Sequence, residues 1–341
     1  MPHWHHCLVT GAAAMQDQAS RIAADVLFPA AMDTDAADRV PASHLDLLAA
    51  EGFYGMAGPP EEGGAGLDAT AACRVIETLA GGCLATTFVW LQHHSAVRAA
   101  SAAGARLREE WLGPRCRGTR RCGIALGGAL PGPPLLRATP TAGGYLLDGA
   151  SPWVTGWGLV DTLYTAARDG QGNIVTALLS AAPGPALSAE PLRMVAVNAS
   201  RTAAVRFDGY FAAASRVTAV LPHHDWLAAD AMNLRSNGSL ALGVAGRCCA
   251  LIGASPLDGE LTMRRAALDA ASPEQMPAAR AAASDLAIRA AAALVTVQGS
   301  RAILAGQHAQ RLAREALFLL VFASRPAIKE NLAGRLTRAS A

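Results

Sequence analysis

Three short stretches carry side chains able to do chemistry. In "ASPWVTG", Trp153 and Thr155 flank Val154. Side chains on a strand alternate with a period of two, so indole and hydroxyl are expected on one face. That pair suits a flat ligand ring, which takes an apolar face and a hydrogen-bond donor; equally, Trp153 could be core of its own domain. In "WLQHHSAVR", Leu91, Gln92, His93 and His94 follow one another in a helical stretch. An imidazole titrates near neutral pH and can act as acid or base. Helix neighbours diverge by about 100°, so at most one of the two histidines faces a site, and a structural histidine is the alternative. Asp230 precedes "AMNLRSNGS", placed either for proton transfer or as an acid favoured by a helix start.

Other clusters point away from chemistry. His3, His5, His6 and Cys7 could hold a metal, but they stand in a short tail or ahead of an alternative start at Met15, and no metal is expected. The seven cysteines form no CxxC spacing, which predicts reduced, buried thiols in a cytoplasmic protein. His223 and His224 precede Asp225, which is expected to cap a helix.

Composition bounds the rest. Apolar residues make up 52% of 341 and charged residues 16%, so most helices must bury against others. Net charge is +2 with no basic run, which argues against nucleic acid and polybasic membrane surfaces. No uninterrupted apolar run approaches the roughly 18 residues of a membrane span. The start "MPHWHHCLVTGAAAM" lacks the charge and apolar core of a secretory signal.

The elements that must position these residues fall into three blocks. Residues 1–14 read as a tail. Residues 15–119 show helical periodicity, with Ser43 as a candidate N-cap and a break at Gly81-Gly82. Residues 120–222 switch to short, β-branched and aromatic runs punctuated by turns, "RDGQGN" being a hairpin signal. Residues 223–341 return to helix. "QHAQRLAREALFLLVFAS" places Arg311, Arg314 and Glu315 on its early, wetter turns before becoming wholly apolar. The fold class is therefore α+β: an N-terminal helical domain, a small β-barrel-like domain and a C-terminal helical bundle.

That order, with motifs inside it, resembles the acyl-CoA dehydrogenase family. "LLAAEGFYGMAGPPEEGGAGLD" resembles the family's "PEE.GG.G" turn, and "VIETLAGGCLATTF" its next helix. "GGYLLDGASPWVTGWGLVDTLYTAAR" is similar to "GGY.LNG.K.WITNG..AD…..AR", and "RLAREA" to "RL.RDA". The resemblance spans Met15 to Leu336. It implies a C-terminal four-helix bundle, oligomers built through those helices, and FAD buried between subunits. It also implies an acyl-CoA thioester substrate, with the Trp153 equivalent beside the flavin ring and the Thr155 hydroxyl at its reactive edge. Leu126, Gly127, Val154, Gln298 and Gly299 fall at further cofactor positions, and Leu91, Gln92, Phe322 and Ala323 at the acyl pocket.

The sequence departs from the family at three places. "IALGGALPGPP" replaces the flavin-and-substrate loop; the N–H groups of Gly127 and Gly128 could substitute for its hydroxyl. "ASPLDGELTMRR" replaces the arginine segment that reaches the partner's cofactor, with Arg264 or Arg265 as substitutes. The family's "IYEGT" falls on Val321 to Arg325, so Ala323 stands where the glutamate base should be. Losing a positioned base removes roughly two to four powers of ten in rate. Asp230 and His93 are the remaining base candidates, and Arg325 a possible anion ligand or helix-end charge. The expectation is a base-deficient subunit of a heteromeric acyl-CoA dehydrogenase. The alternatives are a flavoenzyme of other chemistry, such as a monooxygenase, or a flavin-free binding subunit.

Overall fold

The computed structural model describes residues 11–337, apart from the side chains of Ala231 and Met232. The His3–Cys7 cluster lies outside these residues. Helix α1, Ala12–Ile22, runs on through a π-helical turn, Ala23–Leu27, so residues 12–14 of the expected tail are its first turn. Helices α2 (Ala31–Ala36), α3 (Ala42–Ala50), α4 (Ala69–Gly82), α5 (Leu84–Ala102) and α6 (Ala105–Cys116) follow. Asp68 caps α4 by accepting from the Ala71 N–H at 2.8 Å. Helix α4 stops where the glycine pair announced it, because Cys83 is extended (φ −148°, ψ 110°). Ser43 does not cap α3: the cap position is Pro41, and Ser43 lies inside the first turn.

Eight strands make the central sheet: β1 (Cys122–Ala125), β2 (Leu136–Thr141), β3 (Gly144–Val154), β4 (Thr162–Arg168), β5 (Asn173–Ser180), β6 (Leu187–Pro191), β7 (Ala203–Ala213) and β8 (Val217–Pro222). Their order is β6-β7-β3-β2-β4-β5-β8, with β1 parallel to β4. β2 joins the two halves through one parallel pair, Arg137 with Arg168. The "RDGQGN" hairpin forms as expected, Asp169 accepting from the N–H groups of Gln171 and Asn173. The sheet encloses its own core around Leu136, Leu163, Val205 and Phe207.

The C-terminal helices are α7 (His223–Ile252), α8 (Pro256–Ala270), α9 (Met276–Gln298), α10 (His308–Val321) and α11 (Pro326–Leu336). Alanine at 281, 283, 287, 290 and 291 lets α9 sit fully buried along one face among α7, α10 and α11. Met276–Ile303 is long and apolar enough to cross a membrane by composition alone; here 56% of its apolar window is buried inside the fold. α4 and α7 meet backbone to backbone: a Cβ on Gly243 would lie 2.3 Å from the Glu77 carbonyl, closer than real Cβ atoms come. One hydrophobic core runs through both helical regions, from Met15 to Leu332.

Arg311 and Glu315 are not on wet turns. They are 1% and 3% exposed and ion-paired at 2.5 Å. Arg311 sits 5.9 Å over the Phe28 ring, which also stacks on His308 at 4.2 Å and faces Arg247 at 4.1 Å. Within "QRLARE", Arg311 and Glu315 are buried by pairing across one helical turn, while the half-buried Arg314 pairs with Asp35.

Candidate active site

The end of α10 packs onto α5 through three rings. Phe88 meets Phe322 at 4.9 Å and Phe318 at 5.1 Å, both edge-on. Leu91 packs against the same core, whereas Gln92 folds back to donate to the Phe88 carbonyl at 2.9 Å. Ala323 follows Phe322 at φ +50°, a left-handed backbone that costs an alanine free energy. Two residues on, Arg325 donates to Asp230 at 2.5 Å.

Asp230 is 8% exposed and the eighth residue of α7, beyond the first turn, so the helix-start reading is replaced by a buried ion pair. Its second oxygen accepts from Asn233 at 3.4 Å. Asn233 in turn accepts from Arg98 at 2.6 Å. Arg98 is exposed to solvent yet crowded enough that burial lowers its pKa. The sequence reading passed over Arg98. Its signal was helical spacing: with Phe88, Leu91 and Ser95 it forms one stripe of α5.

His93 leaves the candidate list. It is 1% exposed, its Nε2 lies 3.1 Å from the Arg115 carbonyl, and it packs edge-on against Tyr54 at 4.7 Å. Burial holds its pKa well below the ordinary value. His94 is 3% exposed with neither ring nitrogen hydrogen-bonded. Burial, then the charge of Arg98, brings its pKa down to about 3, so it is neutral.

Trp153 and Thr155 do not share a face. A bulge between Ser151 and Val154 breaks the alternation, with Trp153 at φ +63°. Trp153 is 64% exposed, so it is not core; Val154 is buried. The Thr155 hydroxyl is buried 3.3 Å from that of Thr202. Leu126 packs with Ala129, Ala166 and Trp226. Gly127 is wedged so that a Cβ would meet the Ala150 carbonyl at 2.1 Å, and the Gly128 N–H donates to Ala166. Arg168 fixes this loop by donating to the carbonyls of Gly128, Leu130 and Gly132. His223, whose Nε2 lies 3.1 Å from the Ala129 carbonyl, ties the loop to α7; Asp225 makes no cap bond.

Gln298 and Gly299 form the exposed C-terminal end of α9, Gly299 at φ +66°. Arg264 and Arg265 are both engaged within the chain, by Glu260 and Glu77, so neither stands free as the substitute arginine. A groove of about 590 Å³ lies between α6 and the sheet, lined by Trp111, Arg120, Tyr210 and Arg216. None of the candidate residues lines it. Among the described residues no His, Cys, Asp or Glu cluster suits a metal.

These positions fit the implied flavin in part. Trp153 presents an open indole, as a ring platform requires, on backbone at φ +63°. Two of the expected donors are engaged: the Thr155 hydroxyl lies against that of Thr202, and the Gly128 N–H donates to Ala166.

Comparison with known proteins agrees with this architecture. Residues 11–119 match the family model described as acyl-CoA dehydrogenase, N-terminal domain. A curated relative, benzylmalonyl-CoA dehydrogenase of Aromatoleum aromaticum, is 28% identical over 205 residues, covering 58% of this chain. The match spans about half of that relative, 54% of its length. Among solved structures, glutaryl-CoA dehydrogenase from Mycobacterium smegmatis in complex with FADH2 superposes with a TM-score of 0.80 at 17% identity, over 96% of this chain and 94% of that one. Butyryl-CoA dehydrogenase from Megasphaera elsdenii gives 0.79 at 17% identity, over 99% and 100%. Residues 11–119 thus match the N-terminal domain of the acyl-CoA dehydrogenases, and the chain as a whole has the fold of the solved dehydrogenases.

Proposed function

We propose that this chain is an FAD-binding, acyl-CoA dehydrogenase-like subunit without its own general base, working with a partner chain that supplies one. The observation that carries the reading is at the end of α10. Alanine occupies the expected base position, and the nearby acid, Asp230, has both oxygens engaged, by Arg325 and Asn233. When bound, FAD would take up hydride from the β-carbon of an acyl thioester. Trp153 is the residue that would lie against its ring, and the phenylalanines of α5 and α10 would line the acyl end. The donors that this chain keeps engaged would come from the partner. The boundaries 15–119, 120–222 and 223–341 are the proposed domains.

The test is the visible spectrum of the purified chain with added FAD, alone and with a partner encoded beside it. A colourless lone chain that becomes flavin-loaded and oxidises acyl-CoA only with its partner is the expected result. Stoichiometric FAD and acyl-CoA oxidation by the lone chain would overturn the reading. A complex without flavin would favour a flavin-free binding subunit, for which the engaged donors at Thr155 and Gly128 speak.

A further inference from the structure

The groove between α6 and the sheet, about 590 Å³ in volume, is left unused by the proposed reaction. Small-molecule sites run to roughly 300–1,000 Å³ and set a few placed polar groups among apolar and aromatic walls. This groove has both. Trp111, 4% exposed, forms its floor, and Tyr210 and Phe211 of β7 form a wall. Phe211 is 51% exposed and pairs across the β3–β7 ladder with Leu146, itself 37% exposed, so the wall continues as apolar surface. The Tyr210 hydroxyl reaches the Ser180 carbonyl only at 3.4 Å, long for an O–H donor, which leaves it ready for a better acceptor.

Three guanidiniums surround the Trp111 ring: Arg216 at 4.7 Å, Arg115 at 4.8 Å and Arg120 at 5.5 Å from its centre. They are not equivalent. Arg216 is spent on Glu110 at 2.7 Å. Arg115 is fully buried behind Trp111 and Thr162; it donates to the Thr162 hydroxyl at 3.0 Å, and its other two nitrogens have no partner among the described residues. Arg120 is exposed, and among the described residues its side chain has no hydrogen bond or ion pair. The acid in the lining, Asp161, accepts from the Arg121 N–H at 2.8 Å. The groove thus offers a ligand one uncompensated guanidinium, and a second negative charge on that ligand would meet Asp161. An arginine fork matches a carboxylate in geometry as well as charge.

We propose that this groove binds an aromatic monocarboxylate, its carboxylate on Arg120 and its ring against Phe211 and Tyr210. The inference does not rest on the acyl-CoA reading, because no residue assigned to the flavin or the acyl group lines the groove.

Titration calorimetry on the full chain with 2-naphthoate and with its neutral amide, 2-naphthamide, tests this. Naphthoate is expected to bind at least about 10-fold tighter, the equivalent of about 1.4 kcal/mol. R120Q should abolish that preference without moving the thermal midpoint, since Arg120 is exposed and unpaired; R120K should restore part of it. F211A should weaken both ligands alike, by about 3- to 10-fold, through the lost ring contact. No binding of naphthoate, equal affinity for acid and amide, or a preference that survives R120Q overturns the proposal. Adenosine monophosphate, a flat base carrying a dianion, checks the charge argument: binding tighter than naphthoate would overturn the monocarboxylate class.

Discussion

Asp230 and Arg325 stand 95 positions apart in the chain and 2.5 Å apart in the fold. The pair pins the turn after α10 onto the first third of α7. Truncating one partner leaves the other with an uncompensated charge in a mostly buried place. Asp230→Ala is therefore expected to cost about 3 kcal/mol, the lower end of the range for buried pairs because Arg325 keeps some solvent contact. Urea unfolding of Asp230→Ala, Arg325→Ala and the double variant would show it: the double should cost less than the sum of the singles.

Ala323 should be replaceable with profit. Its φ of +50° is unfavourable for any residue with a Cβ. Ala323→Gly is expected to stabilise the fold by about 0.5–1 kcal/mol, strain relief outweighing the added entropy of the unfolded chain. A rise in thermal midpoint would establish the effect; a fall would show that the turn needs the methyl contact more than the relaxed backbone.

Trp153 separates stability from binding. Its exposed side chain makes little core contact, so Trp153→Ala should change unfolding free energy by no more than about 0.5 kcal/mol. The same variant should lose flavin from the partnered complex, read as absorbance near the flavin band per mole of protein. Core destabilisation with retained flavin would assign Trp153 to packing.

The buried histidines predict a pH dependence. His94 titrates at about 3 when folded and near 6.5 when unfolded, so protonation favours the unfolded chain. Its contribution is intact above pH 6.5 and shrinks as pH falls from 6.5 towards 3, by about 1.4 kcal/mol per unit. His93, also lowered, adds in the same direction. Replacing His94 by Phe should flatten the slope of stability against pH between 6 and 4 by about one proton. An unchanged slope would mean that His94 is protonated in the folded state.

Periodicity was a good guide where packing alone decides. The helical, β, helical order, the break after Gly82 and the hairpin at Asp169 all follow from local pattern and turn chemistry. It misled where one residue alters the geometry. Two-residue spacing put Trp153 and Thr155 on one face, but the bulge at positive φ sends them apart. Charge read as wetness misplaced Arg311 and Glu315, which satisfy each other one turn apart inside the core. Helical spacing places Arg98 on one stripe of α5 with Phe88, Leu91 and Ser95, but its contact with Asn233, 135 positions away, is not encoded in any local pattern.

The backbone contact between α4 and α7 at Gly243 has a consequence for anyone who would cut this chain into pieces. With no side chain between them, Glu77 and Gly243 act as a weld, reinforced by Arg247 on the Gly81 carbonyl and Arg265 on Glu77. A fragment ending at the sheet would expose the α4 side of that weld and lose the core that both helical regions share. The first and last thirds of the polypeptide are thus one mechanical part, with the sheet as an insert between them. An insertion or circular permutation that respects the fold should open a turn of the sheet, such as Gly170–Gly172, and leave both helical regions whole.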